Sequence, residues 1–252
     1  LESKITSRTK AIIPVHLFGL SADMNPIMEM AKKHNLAVIE DAACGFGASY
    51  HGTHVGNIGD FGVFSFHPRK SITTGEGGMI LTSSDKAAAQ SRSLRDHGAS
   101  RSDLARHTSK SAFLLPEFNM VGYNYRMTDI QGALGVSQIN KAEEIQFLRT
   151  KWAKRYDELL VDIPWLRRPK VPENYVHGYQ SYVCFFQPEE PTLQNVSALN
   201  ERRNEIMVDL EEKGISTRQG THAVTLLGYY ADKYNIKPED YPGALLSDRL
   251  TM

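Results

Sequence analysis

Two short apolar runs, AIIPVH at 11–16 and LAVIE at 36–40, bracket ADMNPIMEMAKKHN, in which Ile27, Met28, Met30 and Ala31 recur at helical spacing. Strand, helix and strand in that order make a β-α-β unit, which commits the chain to a parallel strand pair joined by a helical crossover. Further strand-like runs follow at FGVFSF (61–66) and GMILTS (78–83). Ser84 or Asp85 then caps a helix through Lys86 to Asp96 that ends at Gly98. Strands alternating with helices predict an α/β fold whose sheet is mainly parallel and covered by helices on both faces.

The pattern changes further along. Residues 99–124 read as polar and irregular, and Thr128 opens a long helical pattern through Ile130, Ala133, Leu134, Val136, Ile139 and Ile145 toward Tyr156. From Val171 the reading is a strand at HGYQSYVCFF (177–186), a charged helix near 196–213 ending at Gly214, and a short helix around 222–233. The expected organisation is a large domain over 1–160 and a smaller α+β domain over 161–252, with no internal repeat or low-complexity linker between them.

Composition narrows the function. The 29 basic and 29 acidic residues leave a formal net charge of zero, which argues against wholesale nucleic-acid binding. At 41% hydrophobic and 23% charged, 252 residues have the balance of a globular chain and not of a disordered one. No apolar run is long enough to cross a bilayer, and LESKITSRTK at the start lacks the apolar stretch of a signal peptide, so a soluble cytoplasmic protein is expected. Cys44 and Cys184 lie far apart without C-x-x-C spacing, so neither a disulfide framework nor a zinc ribbon is expected. A chain that starts at Leu1 and stops after LLSDRLTM is expected to be truncated at both ends.

Nine of the 19 glycines fall within residues 45–78, where an even spread would put about two to three. Such density permits close approach of main-chain N–H groups to a ligand, but from the glycines alone a set of tight connections is the preferred reading. A P-loop, a G-x-G-x-x-G turn between strand and helix, a G-x-S-x-G elbow and an H-E-x-x-H pattern are all missing, and His51 and His54 in HGTH read as polar loop residues rather than metal ligands. Asp41 directly follows LAVIE, and Lys70 follows FGVFSF in a turn marked by Pro68, so both sit at carboxyl ends of strands, where open α/β sheets bind ligands. A lysine and a carboxylate in one crevice are what an aldehyde cofactor such as pyridoxal phosphate requires. Taken alone, Lys70 reads first as a solvated surface charge, as most lysines are.

The segments EDAACGFGA, VGNIGDFGVFSFHPRKSITTGEGGMILTS and GYNYRMTDIQGALGVSQINK resemble the DegT/DnrJ/EryC1/StrS sugar aminotransferases, with GISTRQGTHAV (214–224) extending the likeness. The resemblance implies the fold-type-I architecture of pyridoxal-phosphate transferases. It implies that Lys70 holds the cofactor as an internal aldimine, that Asp41 pairs with the pyridinium nitrogen and that Ser65 hydrogen-bonds the phosphate, with backbone N–H groups near Thr73 to Gly75 as further phosphate donors. Asn124 in GYNYR matches a position that reaches across a subunit boundary toward the neighbour's cofactor phosphate, although an Asx-type turn before the Thr128 helix accounts for it equally. His67, Arg69, His97 and Arg126 lie in or beside these motifs without a role that separates substrate contact from structural bonding. Many relatives carry Gln where this chain has Cys44, a poor hydrogen-bond partner for the cofactor's ring oxygen.

The activity implied is transfer of an amino group, from glutamate, to a nucleotide-linked keto sugar by a homodimer with ping-pong kinetics. Two alternatives stand beside it: a sugar dehydratase of the same family, against which Lys70 argues because some dehydratases carry His there, and a non-catalytic fragment that only dimerises or binds ligand.

Overall fold

In the computed structural model, which describes residues 1–100 and 116–252, the β-α-β unit forms as its sequence predicts. Ala11–Ile12 (β1) and Ala37–Asp41 (β2) are parallel, with Ala11 opposite Ala37, and Met24–His34 (α1) crosses between them. The helix stops at Asn35, which takes the left-handed conformation (φ 51°) and donates its N–H to the carbonyls of Ala31 and Lys32. Asparagine tolerates that conformation better than most residues, and the closure returns the chain toward β2. Met24, Ala31, Val38 and Tyr50 form the buried cluster under α1, with Ile12, Ile27, Met28, Leu36 and Ile58 packed against it.

Phe61–Ser65 (β5) lies parallel to β2, with Asp41 opposite Val63, and Gly78–Leu81 (β6) runs antiparallel to β5, with Ser65 opposite Gly78. The order β1-β2-β5-β6 is thus mainly parallel with one antiparallel edge. Between β2 and β5 a hairpin of Ser49–Tyr50 (β3) and Thr53–His54 (β4) turns at His51 and Gly52, and β3 also pairs with Tyr175–Val176 (β8). Gly62 lies so close to Gly56 that a Cβ would collide with the Gly56 backbone, so the turn at 56–59 can fold flat against β5 only because the residue is glycine.

Asp85–Leu94 (α2) is capped by Ser84, whose Oγ accepts from Ala87 N. Thr128 and Gln131 form a reciprocal capping box for Asp129–Ile139 (α3). The helical pattern does not continue unbroken to Tyr156. Lys141 N donates to Gln138 O at 3.0 Å, a three-residue closure that ends α3, and Ala142–Leu159 (α4) begins afresh. Of the stretch expected to be irregular, residues 101–115 lie outside the described residues.

The chain divides into one unit of Leu1–Thr150 with Val171–Gln180 and another of Lys151–Lys170 with Ser181–Met252. The sequence placed one boundary near 160, whereas residues 171–180 return to the first unit. The second unit holds Leu166–Arg167 (β7) antiparallel to Phe185–Phe186 (β9), then Val196–Glu212 (α5), Gly228–Tyr234 (α6) and Pro242–Leu250 (α7). Its core is Phe186, Val196, Leu199, Leu245 and Leu250. The strand expected over 177–186 is confined to Phe185 and Phe186. Tyr179 takes φ 45°, and the main-chain groups of 178–180 pair with Gly19 and Arg149 instead of a neighbouring strand. Among the described residues no helix is long and apolar enough to cross a membrane, and no group of three or more His, Cys, Asp or Glu is placed to hold a metal ion.

Candidate active site

Consecutive residues of a strand point to opposite faces, so Glu40 and Asp41 at the end of β2 part company. Glu40 is fully buried. Its Oε2 accepts from His16 Nε2 at 2.9 Å and Gly56 N at 2.7 Å, and its Oε1 accepts from Ile58 N and Gly59 N, both at 2.7 Å. His16, equally buried, accepts the Ala22 N–H on Nδ1, which leaves Nε2 as the nitrogen that donates to Glu40. Burial pushes the Glu40 carboxyl up, but the His16 bond and the N–H groups of Gly59, Gly56 and Ile58 outweigh it and hold the group below the usual carboxylate range. This network ties the glycine-rich turn at 56–59 and the start of the His16–Ala22 loop to the carboxyl end of β2. Sequence reasoning missed both residues, although Glu40 stands beside Asp41 in the motif that drew attention to it.

Asp41 is half-buried on the other face. Its main chain is fixed by donation to Pro14 O at 2.8 Å and acceptance from His16 N at 3.0 Å, and its Oδ1 accepts from Ala43 N at 3.0 Å. Ala42 is buried and donates its N–H to Val63 O, which locks the EDAA turn to β5. Three residues past Asp41, Cys44 presents its thiol to Lys70, whose Nζ donates to Sγ at 3.1 Å.

Lys70 reaches that position through a tight turn. His67, Pro68, Arg69 and Lys70 close with Lys70 N donating to His67 O at 2.9 Å, and Pro68 presets the second position. Ser65, the last residue of β5, accepts from His67 N on Oγ at 3.3 Å, a bond that engages a lone pair and not the hydroxyl proton. Asp41 and Ser65 thus close the carboxyl ends of the paired strands β2 and β5, and the bond to Cys44 brings the Lys70 amine to the turn that follows Asp41. The donor set of one amine, one carboxylate and one hydroxyl suits pyridoxal phosphate, whose aldehyde, ring nitrogen and phosphate need those three kinds of partner.

One expected set of donors is not aimed there. The N–H of Thr74 donates to Phe66 O, and that of Gly75 donates to Thr73 Oγ1, so these donors close their own loop instead of facing a phosphate. Asn124 is exposed and bridges Asp96 in an antiparallel pairing, beside Arg126, whose Nη1 donates to Asp96 Oδ1 at 2.7 Å.

A model of the DegT/DnrJ/EryC1/StrS aminotransferase family matches residues 1–247. GDP-perosamine synthase of Caulobacter vibrioides is 39% identical over 232 residues, 92% of this chain and 57% of that protein. Among solved structures, Helicobacter pylori PseC, an aminotransferase involved in the biosynthesis of pseudoaminic acid, superposes with a TM-score of 0.85 at 26% identity, over 100% of this chain and 62% of that one. Spr1654 of Streptococcus pneumoniae, solved in its PMP form, superposes with a TM-score of 0.86 at 25% identity, over 99% of this chain and 65% of that one. The chain thus spans about three fifths of the length of the relatives it matches.

Proposed function

The chain belongs to the DegT/DnrJ/EryC1/StrS aminotransferase family, and we propose that it forms the lysine-bearing part of a pyridoxal-phosphate enzyme that transfers an amino group from glutamate to a nucleotide-linked keto sugar. The observation that carries this reading is Lys70 Nζ seated 3.1 Å from Cys44 Sγ, three residues past Asp41, at the carboxyl end of two parallel strands. When bound, the cofactor supplies an aldehyde that exchanges with amines and a protonated ring that withdraws electrons from the carbon losing its proton.

This chain's residues do the rest. Lys70 Nζ would hold the cofactor covalently, and as a free amine it would be the base that takes up and returns a proton, one base serving both halves of the exchange. Asp41 supplies the negative charge that keeps the ring nitrogen protonated, while the Ala43 N–H bond to Oδ1 fixes its carboxylate in place. The Ser65 hydroxyl donates to the phosphate. Asn124, exposed and bridged to Asp96, serves the site of a second copy in a homodimer. The name of the Caulobacter relative, with its GDP-linked sugar, supports a nucleotide-linked substrate.

Borohydride reduction of the protein mixed with pyridoxal phosphate, followed by peptide mapping, tests the assignment. Label is expected on Lys70 above every other lysine and is lost in Lys70→Ala, while scatter over surface lysines in the full-length protein would sink the reading. With glutamate and a nucleotide-linked keto sugar, the full-length enzyme is expected to yield aminated sugar and parallel initial-rate lines, and Lys70→Ala to lower turnover by roughly 10²–10⁴-fold. Intersecting lines, or deoxygenated product without amination, would overturn the proposed reaction.

A further inference from the structure

Lys70 has a flexible four-carbon stem, so where its Nζ can reach depends on how firmly the turn holds the Lys70 Cα. The residues on either side of it are held by one side chain from far along the sequence. Gln180 Nε2 donates to the Arg69 carbonyl at 2.7 Å, and Gln180 Oε1 accepts from Ser71 Oγ at 3.1 Å. The two bonds fix the amide's orientation, because a carbonyl can only accept and the hydroxyl then donates to the remaining oxygen. Ser71, Ile72 and Thr74 are buried just beyond, so the downstream side of the clamp is anchored in the interior.

Gln180 is itself held. Arg149 on α4 donates from Nη1 to Tyr179 O at 2.9 Å and to Gln180 O at 3.1 Å, and burial lowers the pKa of that guanidinium from its ordinary value. On the opposite side Gly178 N donates to Gly19 O at 2.7 Å. Gly19, at φ 102°, has no room for a Cβ, which would lie 2.9 Å from Gln180 N and 3.2 Å from the Cys44 carbonyl. The loop after β1, the Cys44 turn and the 177–180 segment therefore meet at one glycine. His177 closes the segment by accepting Tyr179 N on Nδ1 at 2.8 Å, with the two rings stacked 4.1 Å apart.

We propose that Gln180 is the positioning residue for Lys70: by bonding Arg69 and Ser71 at once it sets the height at which the amine meets the cofactor's aldehyde, with Arg149 holding Gln180 in turn. This rests on the reading of Lys70 as the attachment point. Misplacing a reacting group by about 1 Å costs up to about a hundredfold in rate, so a residue that never touches the cofactor can govern its capture.

The test compares the unchanged full-length protein with Gln180→Met, which keeps the length and loses both bonds, and Gln180→Glu, which keeps only the acceptor for Ser71. Each is mixed with pyridoxal phosphate, reduced with borohydride and mapped, and amide hydrogen exchange is followed over 69–72 without cofactor. Gln180→Met is expected to lower the rate of labelling at Lys70 about tenfold, with other lysines unchanged, and to speed exchange over 69–72 by about the same factor. Gln180→Glu falls between, its absorbance shifted part-way toward that of the free aldehyde. Ser71→Ala added to Gln180→Met changes nothing further, because the two share one network. Lys70-selective labelling that Gln180→Met leaves intact overturns the role of Gln180 alone, and faster exchange without a change in labelling makes the residue merely structural and overturns it too. Scattered labelling in the unchanged full-length protein removes the Lys70 reading and the Gln180 role with it. Should Gln180→Met fail to fold, Gln180→Glu and Ser71→Ala carry the same comparison.

Discussion

The end of β2 and the core of the second unit are built on opposite principles. Around Glu40 the interior is held by directional bonds: one carboxylate satisfies His16 and three backbone N–H groups, and every partner must arrive at a set angle. Around Phe186 the interior is a cluster of Val196, Leu199, Leu245 and Leu250, with Trp165 edge-on to Phe186 at 5.6 Å, where shape and volume suffice. Directional bonding specifies position more strictly than packing does. It stands in the chain where Asp41, Cys44 and Lys70 have to be placed relative to one another.

The largest effect expected is from Glu40→Ala, which strands three backbone donors and His16 in the interior and should cost about 3–5 kcal/mol. Denaturant melts and amide exchange over 36–64 would register it, and Glu40→Gln should recover little, since its NH₂ cannot accept from those donors. A loss under about 1 kcal/mol would mean that the network does not organise the β2 end. Next comes Leu199→Ala, a cavity beside Phe186 expected to cost about 3 kcal/mol, whereas Leu199→Met should cost less than about 1.5. If the conservative changes at 40 and 199 proved equally damaging, the contrast between the two regions would collapse.

The smallest of the three is a pH effect at His177. Burial lowers its pKa from 6.5 to about 4, so the folded protein keeps it neutral where the unfolded chain binds a proton. The unfolded state therefore holds more protons between those values, and stability rises with pH there. The contribution is complete above 6.5 and is lost as pH falls toward 4, about 2 kcal/mol of it between pH 7 and pH 5. Denaturant midpoints at the two pH values measure it, and His177→Gln should flatten the slope in that window. An unaltered slope would place the titration elsewhere.

Much of the fold was legible because its signals are local. The 3.6-residue period of α1, Ser84 before α2 and Thr128 before α3 each act within a few residues. Asp41 and Lys70 were legible for the same reason: each follows an apolar run that can only be a short strand, and Pro68 announces the turn. The misreadings came where local pattern met distant partners. HGYQSYVCFF reads as a strand because aromatic and apolar residues dominate it, yet Gly178 to Gln180 spend their main-chain groups on Gly19 and Arg149. The long helix expected after Thr128 is apolar enough to continue, but the chain closes a tight turn at Asn140 and Lys141 before starting α4.

By itself the sequence determined the β-α-β order, the caps that open α2 and α3, the placing of a carboxylate and an amine at strand ends, and the family motifs that connect them, since propensity, period and turn chemistry are properties of neighbours along the chain. Only the tertiary structure decided that His16 would meet Glu40 across 24 residues and that Gln180 would meet Arg69 across 111. The same holds for Cys44, 26 residues from the lysine it touches. A buried polar group accepts whichever partner the folded backbone delivers within about 3 Å, and no pattern along the chain encodes that distance.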